Sequence, residues 1–134
     1  MIRIALLSLA LAATAACTTT PSGSSALTVP AGRASTIDSV SVFDPTTCRN
    51  NRLPNVRFVQ PENGRVTTRP TSFALRPNTV RERKCAGSTV RGLEIVYTPN
   101  PGFRGADPFT ARISYETLPG RRRTSNRTYP VTVR

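Results

Sequence analysis

The chain contains no histidine and no tryptophan. Without histidine it cannot form a Ser/His/Asp triad, a Cys–His pair or a histidine-ligated zinc site, which excludes most familiar small-enzyme chemistry. Acids are scarce as well, 7 against 19 basic side chains, and the formal charge is +12. Those acids are Asp38, Asp44, Glu62, Glu82, Glu94, Asp107 and Glu116, dispersed along the chain. A calcium site needs six or more oxygen ligands in one place, so no metal is expected. Lys84 is the only lysine. A serine with Lys84 as base is formally possible, but no nucleophile motif or glycine-rich phosphate loop accompanies it. No catalytic residue and no cofactor are expected.

What is present is arginine. Its planar fork suits phosphate and carboxylate, so an anionic partner is one reading of the charge. The other is a GC-rich genome, which favours arginine codons over lysine codons. That bias accounts for the Arg-to-Lys ratio and not for the shortage of acids.

Met1-Ile2-Arg3 is a short basic start, and Ile4 to Ala16 follows without a charge. An apolar run of that length is too short for the ~20 residues of a spanning helix. Small residues close it at Ala13, Thr14, Ala15 and Ala16. Residues 1–16 read as a secretory signal peptide, which places the mature chain in the envelope of a bacterium. Thr14-Ala15-Ala16-Cys17 resembles the lipobox of bacterial lipoproteins, with Thr14 where the pattern has Leu. The resemblance implies that Cys17 is lipidated and anchors the protein to a membrane. Thr18, rather than Asp, follows the cysteine and points to the outer membrane, facing the periplasm. Ordinary cleavage after Ala15 or Ala16 is the alternative.

The remaining cysteines are Cys48 and Cys85. In an oxidising compartment an odd thiol is a liability, and a lipid on Cys17 leaves these two to pair as a disulfide. They lack C-x-x-C spacing for redox work. Residues 17–36 read as the lipidated cysteine and a flexible linker, rich at first in Thr, Ser, Pro and Gly. Residues 37–134 read as one domain.

No apolar residues recur at helical spacing after residue 26. Twelve Pro and 8 Gly punctuate the chain. Between them lie alternating runs: Val40 and Val42; Val56 and Phe58; Val66 and Thr68; Phe73 and Leu75; Leu93, Ile95 and Tyr97; Phe109, Ala111, Ile113 and Tyr115; Tyr129, Val131 and Val133. The pair Asn63-Gly64 suits a tight hairpin. Pro130 cannot donate to a ladder, so the last strand is expected at an edge or to start after it. About seven short strands in roughly 100 residues suggest an all-β, immunoglobulin-like sandwich.

Tyr97-Thr98-Pro99-Asn100-Pro101-Gly102-Phe103-Arg104-Gly105-Ala106-Asp107-Pro108-Phe109 resembles the Y-x-P-x-x-x-F-x-G-x-D-x-F signature of bacterial Ig-like and cadherin-like repeat domains. The resemblance covers about residues 55–134 and implies the same sandwich. Phe103 is expected to plug one end of it, and Asp107 to accept hydrogen bonds from turn N–H groups. Those repeats usually stand in tandem and seldom carry cysteine. A single copy with Cys48 and Cys85 suggests a tethered module rather than an adhesin array.

Arg121, Arg122 and Arg123 precede Arg127 between two expected strands. The three adjacent arginines are expected at a hairpin tip that splays them outward, with Arg127 joining from the next strand. Together they form a candidate anion site. Arg81, Arg83 and Lys84 make a second basic group beside Cys85. No aromatics interleave with the arginines and export removes contact with DNA or RNA, so nucleic acid is not an expected partner. An anionic envelope polymer or an acidic protein fits better. The expected function is a non-catalytic envelope lipoprotein whose Ig-like domain binds or supports another envelope component. The alternative is a soluble periplasmic binder or inhibitor of an acidic protein, cleaved without lipid.

Lipidation has a direct test. Wild type should partition into the detergent phase, and Cys17→Ser should remain aqueous. An aqueous wild type whose mature N-terminus is Ala16 would refute the anchor.

Overall fold

Period-two alternation between Pro and Gly breaks dictates strands, and strands are what form. A computed structural model describes residues 26–77, 83–118 and 120–134. The expected signal segment, Cys17, Arg81 and Glu82 lie outside the described residues. Nine strands occur among the described residues: β1 Leu27–Val29, β2 Ser35–Ser41, β3 Asn55–Val59, β4 Gly64–Ala74, β5 Thr89–Pro99, β6 Gly105–Ala106, β7 Phe109–Leu118, β8 Arg121–Tyr129 and β9 Val131–Val133. A single 3-10 turn, Arg83–Cys85, interrupts them. No helix among the described residues is long and apolar enough to cross a membrane.

Two antiparallel sheets, ordered β2-β5-β4 and β3-β7-β8, face each other, and a small third sheet, β1-β9-β6, closes one end. The two inner faces supply one core. Val40, Val66, Ile95 and Tyr97 come from the first sheet and Phe109, Ala111, Ile113 and Tyr129 from the second, with Val29, Val131 and Val133 beneath. The expected alternation of β7 is borne out: Phe109, Ala111 and Ile113 are buried and Tyr115 is half-buried. The chain is therefore an all-β sandwich.

Two expectations need correction. Strand β1 and the start of β2 lie inside the expected linker, so residues 27–36 are not a flexible tether. β1 runs parallel to β9, with Leu27 opposite Val131 and Val29 opposite Val133. Too few apolar residues mark so short a strand; its partner makes it a strand. Second, Asn63-Gly64 is not a hairpin turn, because β3 pairs with β7 and β4 with β5. The turn carries the chain from one sheet to the other. A Cβ on Gly64 would lie 2.6 Å from the Tyr97 ring, so glycine is needed there for close packing. The last strand does start after Pro130, one of the two places expected for it: β8 ends at Tyr129, and β9 is the central strand of the third sheet. Pro70 sits within β4, which is an edge strand, where a missing N–H is tolerated.

The Cys48–Cys85 disulfide forms, with Cα atoms 5.3 Å apart. It closes a loop of sequence separation 37, a constraint on the unfolded chain of about 4 kcal/mol. Around it lies a second, smaller core of Leu75, Cys85 and Val90, flanked by Phe43 and Phe73.

Asp107 behaves as its motif implies. It is 2% exposed. Its carboxylate accepts the Tyr97 O–H at 2.7 Å and the backbone N–H groups of Glu62 at 3.1 Å and Asn63 at 3.0 Å. Its own N–H donates to the Val131 carbonyl at 2.9 Å. Phe103 packs half-buried against the same end of the core. Asp107→Asn turns one acceptor oxygen into a donor facing other donors. It should lower unfolding free energy by about 3 kcal/mol, because buried groups lose their partners. Denaturant melts of the two proteins measure this.

Candidate functional site

β8 decides where the arginines go. Arg121 pairs with Leu118, Arg122 with Glu116 and Arg123 with Tyr115, so all three lie within a strand. The turn itself is made at Gly120, whose φ of 79° suits glycine. The expected hairpin-tip cluster is thus wrong in its geometry. Successive strand residues point to opposite faces, so Arg121, Arg123 and Arg127 face one side and Arg122 the other. Arg83 and Lys84 stand apart from both groups, and Lys84 Nζ donates to the Thr46 carbonyl at 3.0 Å.

Arg121, Arg123 and Arg127 line an open groove of about 1200 Å³ between the free edges of β2 and β8. Its apolar wall includes Val40, Val42, Phe43, Phe73, Leu75 and Ile113. Arg76 also lines it. At one end the two sheets are clamped together. Asp38 Oδ2 accepts the Tyr129 O–H at 2.6 Å and Arg127 Nη1 at 3.1 Å. At the other end stands the loop tied by the disulfide.

A bulge builds the clamp. The β2–β5 register shifts between Thr36 and Asp38, so that Ile37 packs against the core while Asp38 still lines the groove. Nothing in the local sequence marks this bulge, and Asp38 was not among the expected site residues.

The two acids of the groove are already committed. Asp38 holds Arg127 and Tyr129. Asp44 accepts the N–H of Thr46 at 2.6 Å and that of Thr47 at 3.3 Å. Hydrogen bonds from the Thr46 and then the Thr47 backbone hold its carboxyl below the usual aspartate range. Arg121 and Arg123 are exposed, and no described side chain pairs with either. The groove therefore offers an apolar wall beside two uncompensated guanidinium groups. It can hold a ligand that is part apolar and part anionic. Among the described residues no three His, Cys, Asp or Glu side chains come together as metal ligands.

Comparison with family models, with curated proteins and with solved structures finds no match to this chain.

Burial, then the bond to Asp38, pushes the Tyr129 phenol up to about 12. Below pH 10 both the folded and the unfolded chain keep this phenol protonated. Between about pH 10 and 12 the unfolded chain ionises it and the folded chain does not, so stability should fall across that window. The loss should be about 2 kcal/mol from this group. Denaturant melts stepped from pH 9 to pH 12 measure it, and a flat profile would contradict the clamp.

Proposed function

We propose that this chain is an exported, non-catalytic binding module of the bacterial envelope. It is anchored through lipid on Cys17, faces the periplasm from the outer membrane, and binds an anionic envelope component in the groove between β2 and β8. The sandwich is, in this reading, a member of the Ig-like and cadherin-like class suggested by the Tyr97–Phe109 signature.

One observation carries the binding claim. Arg121 and Arg123 flank an apolar wall, and the two acids lining the groove already serve other partners. The formal charge of +12 supports it, since it draws polyanions toward the whole surface. Lipopolysaccharide, with acyl chains beside phosphates, has the matching chemistry.

Both arginines are exposed, so R121S/R123S should fold normally. The double variant should bind lipopolysaccharide at least tenfold more weakly than wild type. Wild-type binding should also weaken steeply as salt rises, because screening acts over about 8 Å at physiological ionic strength. Equal binding by the two proteins, or binding indifferent to salt, would reduce β8 to a solvated edge.

A further inference from the structure

We propose that the outer face of the β3-β7-β8 sheet carries a second anion site, built by Arg57, Arg112 and Arg122, that takes a phosphate monoester or diphosphate group. The site lies on the face of β8 opposite the groove and does not depend on the groove reading.

Strand register makes it. Arg57 stands directly opposite Arg112. One row along, Asn55 stands opposite Ser114, which stands opposite Thr124. One row further, Arg122 stands opposite Glu116. The three arginines, Asn55, Ser114 and Thr124 border one shallow depression of about 350 Å³. Each strand of the sheet contributes one cation to it.

Like charges directly opposite each other destabilise a sheet. Among the other described register pairs no two like charges face each other. Thr110 faces Thr128 with their hydroxyls 3.2 Å apart, and Arg69 faces Glu94 in an ion pair. At Arg57 and Arg112 no described carboxylate provides relief. Glu116 stands in register with Arg122 but forms no ion pair with it and lies outside the depression. A doubly charged oxyanion relieves this repulsion. Beneath it the Ser114 and Thr124 hydroxyls, 3.1 Å apart, and the Asn55 amide add donors. Guanidinium forks from two sides supply bidentate bonds to phosphate oxygens. Every residue bordering the depression is polar. An acyl chain has no wall here, which separates this site from the groove.

Inorganic pyrophosphate, titrated into the mature protein, is the probe. The amides of Ser114 and Thr124 should shift in NMR spectra. R112S and R122S, both at exposed positions, should each weaken that response at least tenfold, and R121S/R123S should leave it unchanged. Phosphatidylcholine vesicles containing phosphatidate form a second arm. Retention on them in excess of that on pure phosphatidylcholine vesicles, which a lipid on Cys17 would give by itself, and lost in R112S, identifies a lipid headgroup as the phosphate source. A pyrophosphate response without such retention identifies a soluble one. Either result supports the site. Shifts confined to groove residues, or wild-type responses from R112S and R122S in both arms, would overturn it.

Discussion

Asp107 is a buried carboxylate in a chain with few acids, and among the described residues no cation pairs with it. A buried charge is costly unless hydrogen bonds replace its water. Here the phenol of Tyr97 and the amides of Glu62 and Asn63 do so. Those groups belong to the end of β5 and to the link between β3 and β4, while the backbone of Asp107 is tied to β9. One residue, through its side chain and its backbone N–H, therefore fixes where three parts of the chain meet. The Tyr97 ring in turn fills the space beside Gly64, leaving no room for a Cβ. With this end of the sandwich locked, the chain can cross between sheets without a paired hairpin.

The other end is held differently. Asp38 joins the two sheets at their free edges, and the Cys48–Cys85 disulfide ties the loops beyond. Between these two restraints the sheets part, and the groove is the space left. Its wall is apolar because β2, β4 and β7 keep their core-facing alternation past the point where the opposite sheet covers it. Tyr129 links the two regions: its ring stacks on Phe109 with centroids 5.0 Å apart, and its hydroxyl reaches Asp38.

Arginine along β8 also bears on solubility. An edge strand with unpaired N–H and C=O groups invites pairing with other chains, and charged side chains discourage it. β8 carries four arginines at positions 121, 122, 123 and 127. Edge protection does not require that inward-facing arginines border an apolar wall, nor that two arginines from different strands stand opposite each other. Those arrangements go beyond protection and mark the two surfaces for which binding is proposed.

The sequence by itself determined that this is an all-β chain, that Phe109, Ala111 and Ile113 face a core, and that Asp107 serves a turn. Each follows from local rules: period-two alternation, turn chemistry, and the limited options of a lone acid in a short motif. Cys48 and Cys85 were legible as a pair from the cysteine count together with the expectation of an oxidising compartment. Tertiary structure alone decided that Leu27–Val29 is a strand, since three residues acquire a ladder only when β9 lies beside them. It decided that Arg122 parts from Arg121 and Arg123, because the position of the turn relative to the strand sets which face each residue takes. It also brought Arg57 to Arg112 and Asp38 to Arg127. Those meetings depend on register between strands distant in sequence, and a shift of one residue would send every one of these side chains to the opposite face.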